Sequence, residues 1–272
     1  MLVSLTQALS AAVRDGFAVG SFNATGLETL RAVVAAAEQA QKPVILNFAE
    51  VHSPYVTMEE IAPIMLDYAR RAAVPVCVHL DHGSGLEACV RAIRLGFTSV
   101  MLDASALPWA QNRDATAEVV AVAHAAGVSV EAELGSIGPD SDAYTDPDAA
   151  AQFVAETGVD ALAIAFGTSH GVYTVKPVLD LDRVARIREK VDVPLVMHGG
   201  SGLSREEFQT AVRNGIRKIN YYTYMSLAGG SAVRELIKAS GERVFFHDVA
   251  LCAQQAMQRD VYNAIRVFGL ED

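Results

Sequence analysis

The chain has 272 residues, 51% hydrophobic and 20% charged, which supplies a large core and leaves no tract that reads as disordered. A formal net charge of −10 with no basic run speaks against a nucleic-acid or anionic-membrane partner. Three scattered cysteines, Cys77, Cys89 and Cys252, make no disulfide framework and point to a reducing, cytoplasmic setting.

The opening MLVSLTQALSAAVRDG has no Lys or Arg before Arg14, so it reads as an amphipathic helix and not as a signal peptide. No later window approaches the roughly 18 apolar residues of a membrane span. Eight short β-rich runs follow, at 17–23, 44–49, 74–81, 99–105, 129–135, 161–167, 194–200 and 216–223. Most are nearly continuous apolar runs, as parallel strands buried on both faces require. Helical stretches separate them. Thr25 with Glu28 and Ser204 with Glu207 have capping-box spacing, and Asp146-Pro147 opens another helix. Gly96, Gly127 and Gly158 each close a helix just before a strand, at intervals of 31 residues, a length that suits one βα unit. No linker or composition break divides residues 1–272, so the expectation is one α/β domain, a (β/α)8 TIM barrel. An open doubly wound sheet is the fallback, and a dinucleotide fold is disfavoured because no G-x-G-x-x-G follows the first strand.

Three segments, VPVCVHLDHG, ALAIAFGTSHG and VPLVMHGGSG, place His82, His170 and His198 where an apolar strand runs out into glycine. A single such histidine is more often structural than a ligand. In a barrel, however, the carboxyl ends of all strands share one face, where active sites are built. Three imidazoles there suggest a metal site with an open fourth position, the arrangement of catalytic zinc. Asp81 and Glu133 fall at the same ends. His79 lies deeper in its strand and reads as a core or supporting residue, and His124 as a surface or packing residue. His247 has no assignable place.

HLDHG (79–83), EAELGSIG (131–138), GTSHGVY (167–173), HGGSG (198–202) and KIN-x-x-T (218–223), with SFNATGLETLRAVVAAAEQAQKPVIL near the start, resemble the class II, zinc-dependent ketose-bisphosphate aldolases. The resemblance runs in order over nearly the whole chain. It implies a (β/α)8 barrel, a homodimer or homotetramer, and a small sugar or sugar phosphate as substrate. By position it implies His82, His170 and His198 as ligands of Zn2+, or of another divalent ion such as Co2+. Glu133 corresponds to an alternative metal position and Asp81 to the acid/base acting at the C4 hydroxyl. Gly171, Gly199 and Ser201 correspond to phosphate-loop positions, Asn220 and Thr223 to neighbouring substrate contacts, and Asn23 to the aldehyde side. The chemistry is consistent: breaking C3–C4 needs a proton taken from the C4 hydroxyl and an electron sink at the C2 carbonyl, which a Lewis acid provides. No lysine suited to a Schiff base is evident at a strand end.

Four departures from the family pattern surround the expected substrate. Thr174 stands where a lysine is usual, and Tyr222 replaces the Asp of an N-x-D-T motif. Ala49 replaces a serine and is followed by Glu50-Val51-His52. The segment after ELG is short and offers Asp140 and Asp142 as carriers of the C3 proton. The expectation is retained metal chemistry on a ketose less phosphorylated than fructose 1,6-bisphosphate, with Glu50, His52, Tyr222, Asp140 and Asp142 as candidate specificity or proton-handling residues. The competing reading is a ketose isomerase or epimerase that uses the same enediolate without bond cleavage. A non-catalytic subunit should have lost its metal ligands, and all three candidates are present.

Overall fold

The computed structural model describes residues 1–135, 144–173, 175–241 and 243–271. Eight strands, β1 (Val19–Asn23), β2 (Val44–Ala49), β3 (Val76–Gly83), β4 (Ser99–Leu102), β5 (Ser129–Leu134), β6 (Ala161–Ile164), β7 (Leu195–Met197) and β8 (Ile216–Asn220), pair in parallel in sequence order. β8 returns to pair with β1, with Gly20 beside Ile219, and the sheet closes into a barrel. The helices are α1 (Leu5–Asp15), α2 (Leu27–Ala40), α3 (Met58–Arg71), α4 (Leu86–Leu95), α5 (Trp109–Ala125), α6 (Pro147–Thr157), α7 (Leu181–Arg188), α8 (Arg205–Arg213), α9 (Thr223–Ser240) and α10 (Phe246–Phe268). Strands and helices alternate as a (β/α)8 TIM barrel requires. No helix among the described residues is long and apolar enough to cross a membrane.

Strand alternation divides the interior. In β3, Val76, Val78 and Leu80 join the core between sheet and helices, while Cys77 belongs to a second, inner cluster. That inner cluster unites Val19, Ile45, Ala161, Ala163 and Val196 with Leu5, Ala8, Leu9 and Ala12 of α1, so the amphipathic first helix plugs the amino-terminal end of the barrel. The next inward layer is polar and buried: Ser21, Asn47, His79, Ser99, Glu131 and Lys218. Ser21 donates to Asn47 Oδ1 at 2.7 Å, and His79 Nδ1 lies 2.8 Å from Ser99 Oγ.

The helix signals act largely as expected. Ser204 and Glu207 form a reciprocal capping box on α8, Asp146 caps α6, and Gly158 ends α6 in the left-handed conformation at φ 72°. The Thr25–Glu28 box does not form. The helix begins at Leu27, which puts Thr29, and not Glu28, at the third position, and its hydroxyl accepts from the N–H groups of Thr25 and Gly26. The sixth and seventh strands are shorter than their apolar runs, because the chain leaves the sheet at Ile164 and at Met197.

Candidate active site

Asp81 and His82 are consecutive residues of β3, and on a regular strand they would face opposite sides. They share one cavity because His82 has φ 49°, left-handed for a non-glycine residue, and the pairing of β3 with β4 shifts register between Leu80 and Gly83. A strained backbone of this kind costs about 1–3 kcal/mol and is held by its surroundings. Gly83 completes the bend, since a Cβ there would lie 2.6 Å from Met101 O. His198 follows directly on β7. His170 does not end a strand, as its apolar run suggested. It stands on the loop after β6, six residues beyond Ile164. Tyr173 fixes that loop: its hydroxyl accepts from Ser169 N–H and donates to Gly199 O at 2.5 Å. Gly199, at φ 66°, admits the close approach, because a Cβ would lie 2.5 Å from the Ser169 backbone.

One nitrogen from each of His82, His170 and His198 lies within 4.8 Å of the other two. For His82 and His198 the remaining ring nitrogen fixes the tautomer. His82 Nδ1 is 2.7 Å from Asp103 Oδ2, and His198 Nε2 is 2.9 Å from Glu131 Oε1. Burial raises the Asp103 carboxyl, but hydrogen bonds from His82 and Ser105 outweigh it and hold the group well below the usual carboxylate range. Burial likewise opposes charge on Glu131, and Lys218, with His198 and His79, holds it down at about 2. Both carboxylates are therefore acceptors only, so the protons sit on His82 Nδ1 and His198 Nε2. The two nitrogens left bare, His82 Nε2 and His198 Nδ1, face each other 2.9 Å apart. Two lone pairs at that distance need a cation between them, a proton or a metal ion. Without metal, His82 takes the proton: burial disfavours it, but Asp81 and the hydrogen bond to Asp103 push the imidazole up to about 9.

Glu133 completes a second candidate metal group with His82 and Asp103. Burial, with Asp103 beside it, pushes Glu133 up to about 8, and its buried Oε2 has no hydrogen-bond partner among the described residues. Bare imidazole nitrogens, outer nitrogens pinned by carboxylates and an unpartnered buried carboxyl oxygen together suit a divalent ion.

Beneath these groups runs a buried relay in which Asp81 and Asn220 are joined by two residues absent from the sequence-based candidates, Lys218 and Glu131. Lys218 Nζ lies 2.9 Å from Glu131 Oε2 and donates to Asn220 Oδ1 at 2.7 Å. With its oxygen engaged, the Asn220 amide turns its nitrogen to Asp81 Oδ1 at 2.9 Å. Burial raises the Asp81 carboxyl, but His82, His198 and Lys218 overcome it and keep the group ionised. One buried ion pair thus orients an imidazole and a carboxylate at once. Lys218 is fully buried and paired with Glu131.

The cavity above holds about 500 Å³. Asn23, Gly171, Gly199, Ser201, Asn220 and Thr223 all line it, as do His52 and Tyr222. Glu50 turns away: its Oε2 accepts from Ser84 N–H at 2.7 Å, and Arg91 lies 3.9 Å from its other oxygen. Tyr221 buries its ring against Phe22, Phe208 and Phe268. Asp140, Asp142 and Thr174 lie outside the described residues.

The family model for class-II fructose-bisphosphate aldolases matches residues 3–272. The chain belongs to that family, a family of lyases. It is 40% identical over 280 residues to the fructose-bisphosphate aldolase of Geobacillus stearothermophilus, covering 98% of this chain and 97% of that one. It is 38% identical over 280 residues to a probable fructose-bisphosphate aldolase of Bacillus subtilis, covering 98% of each. Its fold superposes on the crystal structure of the YdjI aldolase from Escherichia coli K12 with a TM-score of 0.91 at 36% identity, covering 99% of this chain and 98% of that one.

Within this aldolase-family barrel, Asp103, Glu131, Lys218 and Tyr173 are the site residues that the sequence alone did not single out. Alternation offered a signal for two of them: Glu131 precedes Glu133 by two residues, and Lys218 precedes Asn220 by two, so each pair shares the inner face.

Proposed function

We propose that the protein is a metal-dependent aldolase that reversibly cleaves a ketose or ketose phosphate, other than fructose 1,6-bisphosphate, into a dihydroxyacetone-type unit and an aldehyde. The observation that carries this reading is the convergence of three imidazole nitrogens, two of them with their outer nitrogens taken by carboxylates, beside an ionised Asp81. His82, His170 and His198 would hold a divalent ion, zinc or cobalt, with Glu133 as an alternative position. When bound, the ion supplies Lewis-acid polarisation of the substrate carbonyl.

The chain's own residues supply the proton handling and the grip. Asp81, ionised and aimed by Asn220, accepts the C4 hydroxyl proton as C3–C4 breaks and returns it when the bond forms. Gly171, Gly199, the Ser201 hydroxyl and Thr223, the first residue of α9, present donors and a helix amino terminus to one phosphate group. Asn23 contacts the aldehyde half.

The test is a retro-aldol assay of zinc-loaded protein on fructose, fructose 1-phosphate, fructose 1,6-bisphosphate and tagatose 1,6-bisphosphate, with a chelator control. Two carbonyl products, lost on chelation and restored by metal, are expected. Interconversion of ketoses without carbon–carbon cleavage would replace this reading with isomerisation.

A further inference from the structure

The cavity is asymmetric in charge. Among the described residues, three carboxyl groups line it, from Asp81, Asp103 and Glu133, and no Lys or Arg does. Residues 136–143, Thr174, Glu242 and Asp272, which lie outside the described set, include no Lys or Arg either. Three cations of the flanking segments are engaged in ion pairs: Arg91 with Glu59 at 3.2 Å, Lys176 with Glu207 at 3.1 Å, and Lys218 with Glu131. The glycine loops and the start of α9 provide one neutral anion cradle. Among the described residues no Lys or Arg lines the cavity to make the charge-assisted contacts that a second phosphate would need.

The wall beyond that cradle is aromatic. His52 comes from the 3-10 turn Glu50–His52 after β2, and Tyr222 directly precedes α9. Their ring centroids are 4.7 Å apart at 57°, and both line the cavity. Tyr55, exposed, continues the strip outward, 6.4 Å from the His52 ring. Burial lowers the pKa of His52 and outweighs the opposing pull of Asp81, so the imidazole is neutral near pH 7 and is no substitute for a phosphate-binding cation. Neutral rings with one polar atom each suit the C–H faces and hydroxyls of a sugar chain.

Resting on the aldolase reading above, we propose that the substrate is a ketose with one phosphate, whose opposite end is an uncharged hydroxylated chain read by the His52–Tyr222 pair. The pair determines specificity; it carries no chemistry.

Binding of fructose 1-phosphate and fructose 1,6-bisphosphate to the zinc-loaded protein, measured by calorimetry, tests this beside the cleavage rates. The monophosphate should bind and react better by about tenfold or more, the size of one missing charge-assisted contact. His52→Arg should erase that preference by improving the bisphosphate, and Tyr222→Ala should weaken the monophosphate with zinc content unchanged. Equal or tighter binding of the bisphosphate, binding of neither, or a preference unmoved in both variants would overturn the proposal. Selective monophosphate binding without cleavage would count against the aldolase reading alone and leave the aromatic wall supported.

Discussion

At the amino-terminal end of the barrel, Val19, Ile45, Cys77 and Val196 point inward and meet Leu5 and Leu9 of α1 in an apolar plug. Two or four residues further along, the same inward faces of β1, β3 and β7 carry Asn23, Asp81 and His198, and β5 adds Glu133. The lower end has ordinary backbone and apolar contacts. The upper end holds a left-handed histidine, a register shift and a buried unpartnered carboxyl oxygen. The difference teaches that one alternating pattern can serve stability at one end and chemistry at the other. The Glu131–Lys218 pair lies between them, paired on both sides by polar groups.

Substitutions at the two ends should therefore separate stability from activity. Asp81→Asn should cut kcat by about 10²–10⁴-fold, the usual weight of a general acid/base, while bound zinc and the melting temperature stay near wild type. Simultaneous loss of zinc would merge the two roles kept apart here. Lys218→Met removes the partner of a buried carboxylate and should destabilise the fold by about 3–5 kcal/mol in denaturant unfolding. It should also lower kcat, because the Asn220 amide loses its orientation; unchanged kcat would disconnect the relay from the site. Leu9→Ala in the plug should cost about 2–5 kcal/mol of stability and leave kcat/KM untouched at temperatures where the protein is folded. A large drop in activity there would mean that the ends are not independent. Smallest of all, Ser204→Ala should cost about 0.5–2 kcal/mol through loss of the α8 cap, again with normal catalysis.

The strands were legible because buried parallel strands write themselves as apolar runs, and all eight lie within or beside those runs. Helix ends were legible where a side chain makes the cap, as at Ser204 and Asp146. At Thr25 a one-residue change in the helix start passed the reaching-back role from Glu28 to Thr29. His82, His198 and Asp81 could be placed at one rim from strand ends alone. Their shared orientation could not, because it depends on the φ of His82 and on the shifted pairing with β4. Lys218 was hidden for another reason. A lysine at the centre of a strand is expected at the surface, and only closure of β8 beside β1, across the barrel from β5, gives it Glu131. Asp103 sits one residue past β4, so its contact with His82 is set by the register shift as well.

The central claim is that three imidazoles from β3, the loop after β6 and the end of β7 bind one divalent ion. X-ray absorption at the zinc edge, on wild-type protein and on His198→Ala, tests it most directly. The account predicts one zinc per chain with imidazole scattering from three ligands and no sulfur, and loss of that site in a variant that still folds. A wild-type protein that binds no zinc, a sulfur ligand, or a spectrum unchanged by His198→Ala would contradict it.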